Sequence, residues 1–260
     1  MRRLVAVLVA LSLVGCGDDP PPATGRFGEV TSAVVVVNPV INQGSTTTLV
    51  PGSARSGVEF KAADLEPVRT DSTGLAVVED LPTGTVQLDF DPGTYSFQVA
   101  QEKELYDVVL SYRDGTVQPL FPPVRYPLGG AVVEVEPGGN IAQAAASDNT
   151  IIVLKPGNYP GNFDLRAAGV LIFGAWSPTE GPLSIIDGNV TVLGGSNRMR
   201  GVKINGRLTS NANGLSVAFS DIASATITGN GVSLLRNRFT AGQASVPSSN
   251  AVLVDNAGIP

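Results

Sequence analysis

The sequence predicts an all-β protein in two units, a small antiparallel β-sandwich over residues 28–120 and a short solenoid of parallel strands over residues 131–260. Three observations carry this. Charged residues make up only 15% of the chain, while 30 glycines and 19 prolines supply turns for many short strands. The N-terminal half alternates apolar and polar residues with period two, as strands with one buried face do. The C-terminal half repeats itself every 17 to 19 residues, which is one turn of a coil.

The first sixteen residues stand apart from both units. Arg2 and Arg3 precede an apolar run over residues 4–14, which leads into Leu13-Val14-Gly15-Cys16. A basic start, a short apolar core and a small-residue cleavage site read as a secretory signal peptide over residues 1–15. The run is about half the ~20 residues that a membrane-spanning helix needs. Cys16 is the sole cysteine. Leu13-Val14-Gly15-Cys16 resembles the lipobox of bacterial lipoproteins, which implies cleavage before Cys16 and acylation of its thiol, palmitate included. Residues 16–27 are then a lipidated cysteine and a polar, proline-rich spacer, Gly17-Asp18-Asp19-Pro20-Pro21-Pro22. In such lipoproteins an Asp directly after the cysteine favours the inner membrane. Gly17 occupies that place here, so the resemblance implies the outer membrane.

Charge and composition exclude several functions. Loss of Arg2 and Arg3 would take the net charge from −6 to about −8, which disfavours nucleic acid or anionic lipid as a partner. The chain has no histidine, so it has no Ser–His or Cys–His pair and no histidine metal site. No cofactor is expected.

Within residues 28–120, Ala33-Val34-Val35-Val36-Val37 is β-branched and stops at Asn38-Pro39. Strands alternating in polarity follow at Val58-Glu59-Phe60, Val86-Gln87-Leu88-Asp89-Phe90 and Tyr95-Ser96-Phe97-Gln98-Val99. Turns are expected at Ser72-Thr73-Gly74, Pro82-Thr83-Gly84, Asp91-Pro92-Gly93 and Asp114-Gly115. The stretch from Asp71-Ser72-Thr73-Gly74 to Leu81-Pro82-Thr83-Gly84 resembles the carboxypeptidase-regulatory-like, transthyretin-type β-sandwich. That family places a D-x-x-G turn before one strand and a leucine-proline-x-glycine turn before the next. The resemblance implies a non-catalytic spacer or binding domain. Asp71, Asp80 and Asp91 are expected to cap their own turns rather than bind metal.

Residues 121–130 are dense in proline and glycine and read as a linker. Beyond it, Asn140 can cap a helix over residues 141–146. An aliphatic strand, Ile151-Ile152-Val153-Leu154, and Pro156-Gly157-Asn158-Tyr159 follow. This succession resembles the opening of the pectate-lyase-like right-handed parallel β-helix, in which a short helix plugs the end of the coil. The repeat supports it separately. Residues 215–222 overlay residues 232–239 at a shift of 17; Gly201-Val202-Lys203-Ile204 precedes Phe219-Ser220-Asp221-Ile222 by 18; Leu234 and Asn237 recur as Leu253 and Asn256 at 19. Six or seven rungs at ~4.8 Å give a solenoid about 30 Å long. The polar position (Asn205, Ser220 or Asp221, Asn237, Asn256) is expected to form an internal ladder. After the last repeat, either residues 258–260 or another molecule must cover the open rung.

No residue is assigned a catalytic role, and no metal site is expected. β-Helix lyases and hydrolases use clustered or paired acids, whereas the acids of residues 131–260 form no D-D or D-x-D pair. Asp187-Gly188-Asn189 reads as a type I′ turn, with Asp187 the one candidate acid. Arg198, Arg200, Arg236 and Arg238 are candidates for a stripe that receives an acidic polysaccharide, and Trp176 for a sugar-stacking platform. The favoured expectation is a non-catalytic envelope lipoprotein that binds a glycan or a protein partner. Alternatives are a lyase or hydrolase acting on acidic glycans, and a subunit of an envelope machine.

Overall fold

The computed structural model describes residues 30–39, 41–43, 54–91, 93–113, 116–120, 122–127, 129–177, 180–246 and 251–258. The predicted signal peptide, Cys16 and the spacer lie outside the described residues. The fold is all-β, with antiparallel sheets followed by large parallel sheets.

Two sheets form the sandwich. One runs in the order Val124–Tyr126, Leu105–Arg113, Ser32–Val37, Leu75–Val78, with Thr116–Pro119 also on Leu105–Arg113; the other runs Val68–Arg69, Glu59–Ala62, Gly84–Phe90, Gly93–Val99. Between them pack Ala33, Val35, Val37, Phe60, Val86, Leu88, Phe97, Val108 and Leu110. Phe60 and Phe90 stack with ring centroids 4.9 Å apart. Segment 121–130 is more than a connection, because Val124–Tyr126 pairs antiparallel with Leu105–Arg113.

One pairing departs from the antiparallel expectation. Ser32–Val37 lies parallel to Leu105–Arg113, with Ser32 opposite Leu105 and Val37 opposite Leu110. All six residues of Ser32–Val37 are buried, so this strand is covered on both faces. Val35 and Val37 face the sandwich core, while Val34 and Val36 belong to a second cluster shared with the solenoid. The neighbouring strand divides the same way. Tyr106, Val108 and Leu110 face inward, and Leu105 and Val109 face the solenoid.

The solenoid is a parallel β-helix. Its first sheet stacks seven parallel strands, Val132–Val135, Ile151–Leu154, Leu171–Gly174, Arg198–Arg200, Ser216–Ala218, Ser233–Leu235 and Val252–Val254. Their central residues Val133, Ile152, Ile172, Met199, Val217, Leu234 and Leu253 stand in register. From Ile152 onward these residues are buried in one column. The pairings reproduce the repeats of 17, 18 and 19 residues, for Val217 with Leu234, Ile204 with Ile222, and Leu234 with Leu253. Between Ile172 and Met199 the interval is longer, because the hairpin of Trp176–Ser177 and Gly181–Pro182 is inserted there. The expected helix is shorter than predicted, Ile141–Ala144; the Asn140 side chain accepts from the Gln143 N–H and Ile141 is buried at the coil's start.

The far edge of the coil is covered from an unexpected direction. Ile41–Gln43, from the N-terminal unit, pairs antiparallel with Val252–Val254 and so ends the parallel stack. The sandwich also covers the outward face of the first solenoid sheet. Val34, Val36, Leu75, Leu105, Val109 and Tyr126 meet Ile151, Leu171, Phe173, Ala218, Leu235 and Val254. Each fully buried Val or Leu here contributes about 1.5–3 kcal/mol relative to exposure. Across the coil, a second parallel sheet that includes Gly157–Pro160, Ser184–Asp187, Val190–Val192, Val202–Ser210 and Asp221–Ile227 packs against the first, so four sheets lie in layers.

Candidate functional site

The site is built at the corner where each rung leaves the first solenoid sheet. Gly201, Phe219, Arg236 and Asp255 occupy the same corner of successive rungs, with φ of 68°, 50°, 50° and 49°. Left-handed backbone at each turns the chain sharply. The next position is internal. The Val202 N–H donates to Ser220 Oγ (3.2 Å), Ser220 N–H to Asn237 Oδ1 (3.1 Å), and Asn237 N–H to Asn256 Oδ1 (2.8 Å). Asn237 Nδ2 donates to the Val217 carbonyl at 2.8 Å, and Asn256 Nδ2 to that of Leu234 at 2.8 Å. The expected ladder therefore runs through Ser220, Asn237 and Asn256. Asn205 is not part of it, since it lies with Asp187 on the second solenoid sheet and its Nδ2 donates to Asp187 Oδ1 there.

The ladder fixes the outer residues. Arg236 Nε donates to Asp255 Oδ2 of the next rung (2.8 Å), and Arg238 Nε to Asp221 Oδ1 of the preceding one (3.1 Å). Hydrogen bonding to Asp221 holds the Arg238 pKa above the ordinary arginine value. The sandwich supplies the opposite wall. Asp71 Oδ1 accepts from Thr73 N–H (2.7 Å), Thr73 Oγ1 (2.7 Å) and Leu75 N–H (3.1 Å), so Asp71 caps its turn as expected. Gly74 closes that turn at φ 74°; a Cβ there would meet the Val37 carbonyl at 2.9 Å. Arg236 Nη2 reaches across to the Thr73 carbonyl at 2.5 Å. The third wall is the Trp176–Ser177 and Gly181–Pro182 hairpin, whose Trp176 is half-buried and lies edge-on to Phe219 at 6.1 Å. Together these enclose a cleft of about 380 Å³, with Glu180 at its rim.

Three of the sequence candidates, Trp176, Arg236 and Arg238, thus meet in one cleft. Arg200 does not. Its side chain is 0% exposed and ion-paired to Asp107 of the sandwich, Nη2 to Oδ1 at 3.0 Å. Tyr126 Oη donates to Asp107 Oδ2 at 2.6 Å. The Arg200 guanidinium lies 4.5 Å from the Phe219 ring centroid, 5.6 Å from Phe173 and 5.8 Å from Tyr126. Burial, and then the charge of Asp107, push the Tyr126 phenol well above its ordinary pKa. Arg198 stands on the same outward face, opposite Leu171 and Ser216, and is half-buried. An exposed stripe of four arginines therefore does not form. The geometry turns Arg200 to the sandwich because its neighbours in register, Phe173 and Ala218, are covered too.

Asp187 is exposed on the second solenoid sheet, away from the cleft. Asp187-Gly188-Asn189 is not a hairpin turn. Ser184–Asp187 and Val190–Val192 both run parallel to Val202–Ser210, so the chain only bends there. Among the described residues no group of three or more acids or cysteines is placed to hold a metal ion. Sequence reasoning missed Asp107, Tyr126 and Phe219. A signal existed for Asp107, a lone charge inside the apolar run Leu105-Tyr106-Asp107-Val108-Val109-Leu110.

No family model, no curated protein and no solved structure matches the chain.

Proposed function

We propose that this is a lipid-anchored envelope protein of the outer membrane, held through Cys16, whose sandwich and β-helix jointly present a non-catalytic glycan-binding cleft. The observation that carries the reading is the meeting of Trp176 with Arg236 and Arg238 in one cleft. A half-exposed indole offers an apolar face for a sugar ring, and polar groups locked by their own partners fix hydroxyl orientation without being reorganised. The likeness of the N-terminal unit to transthyretin-type sandwiches and of the C-terminal one to pectate-lyase-like coils supports a binding scaffold, though folds of either kind host many functions. Cleavage before Cys16 would leave residues 17–27 as the tether.

The test is affinity electrophoresis of the protein through gels containing polysaccharides, with the same mixtures read for unsaturated or shortened products. Retardation without product is expected, and Trp176→Ala should abolish it. Turnover would replace this reading with a lyase or hydrolase. No retardation in any gel would remove the glycan assignment.

A further inference from the structure

The charges around the cleft narrow the kind of glycan, on the footing of the glycan-binding reading above. Three carboxylates, Asp71, Glu180 and Asp221, line it against two guanidiniums, Arg236 and Arg238. Both guanidiniums are already matched. Arg238 is ion-paired with Asp221, and Arg236 with Asp255 at 2.8 Å while also donating to the Thr73 carbonyl. Glu180, at the hairpin tip, has no ion pair among the described residues; its N–H donates to Ser177 Oγ at 3.3 Å.

We infer that the cleft selects an uncharged glycan and rejects the acidic polysaccharides that an arginine stripe would have favoured. A uronate or sulfate that accepted from the free N–H donors of Arg238 or Arg236 would stand beside Asp221 or Asp255, which already offset those charges. Its own charge would have no cation left to balance it, and Asp71 and Glu180 would add repulsion. A sugar hydroxyl brings no such charge. A guanidinium has five N–H donors and a carboxylate about four acceptor positions. The bonds described use two donors of each arginine, so a hydroxyl can accept from one partner and donate to the other with the pairs intact. Trp176 supplies the apolar face, backed by Phe219.

The experiment uses the full chain in non-ionic detergent, run through native gels containing either uncharged hexose polymers (laminarin, galactomannan) or acidic ones (polygalacturonate, alginate). Binding constants are then measured at low and high salt. Retardation by at least one uncharged polymer is expected, with less than about twofold change across the salt range, because no charge is neutralised on binding. Trp176→Ala should weaken it by on the order of tenfold or more. Retardation by the acidic polymers alone, weakened by salt and by Arg238→Gln, would overturn this inference while leaving the glycan-binding reading standing. Silence in both sets would overturn the two together.

Discussion

Arg198-Met199-Arg200 and Arg236-Asn237-Arg238 look alike in the sequence, yet the structure gives them opposite fates. In the first, Met199 fills the coil and Arg200 points outward from the strand into a sandwich that covers it completely. In the second, Arg236 sits at the left-handed corner, Asn237 is the internal residue, and Arg238 begins the next sheet. The two triplets are three positions out of phase: Arg200 stands in register with Ala218 and Leu235, so its counterpart in the later rung is Leu235. In a solenoid, the place within the rung decides whether a charge meets water, a neighbouring rung or another domain.

The strongest test of that contrast is Arg200→Ala. It leaves Asp107 buried and unpaired, so a loss of about 3–5 kcal/mol is expected in chemical denaturation. Replacing all three polar partners by apolar residues, Arg200→Met with Asp107→Leu and Tyr126→Phe, should recover most of it, since the Tyr126 hydroxyl donates to Asp107 and would otherwise be left unpaired. A fully stable Arg200→Ala protein would show that the sandwich does not seal this face.

Asn237→Ala probes the ladder. It orphans the Ser220 N–H and the Val217 carbonyl inside the coil, at about 1–3 kcal/mol for a buried unsatisfied group. The expected readout is a lower denaturation midpoint at an unchanged slope.

Between buried and exposed lies Glu104, a buried acid held by Arg125, whose own side chain is 41% exposed. Burial disfavours the Glu104 charge, but hydrogen bonds from Arg125 and Tyr106 outweigh it and hold the carboxyl below its ordinary value of 4.5. Its stabilising contribution is therefore present above that value and is lost as pH falls through and below it. Glu104→Gln should flatten stability against pH in that acid range, measured by thermal melts from neutral pH downward. An unchanged slope would mean that the pair is not made in solution.

The smallest effect is expected at Arg238, whose side chain is 64% exposed. Arg238→Ala should cost less than about 1 kcal/mol. A larger loss would mean that the cleft corner depends on this pair as the interface depends on Arg200.

Much of the fold was legible because it is written in local periods. The recurrence at 17 to 19 residues is forced by stacking identical corners, and the ladder residues Asn237 and Asn256 show through it. The 27 residues from Ile172 to Met199 break the period, since an inserted hairpin carries no repeat, yet the seven parallel strands agree with the six or seven rungs expected. The fully apolar Val34-Val35-Val36-Val37 held a clue of its own: a strand without alternation is buried on both sides. The candidate site was half legible. Trp176, Arg236 and Arg238 could be named, but not joined to Asp71 and Thr73, which lie more than a hundred residues earlier.

By itself, then, the sequence determined the all-β class, the rung period, the cap at Asn140 and the internal ladder, because each depends on contacts between near or periodically related residues. Only the tertiary structure decided that Arg200 is sealed against Asp107, that Ile41–Gln43 covers the last rung, and that two units share one cleft. Those pairings join residues 93 positions apart and more, and no local pattern encodes which face of a coil another domain will cover.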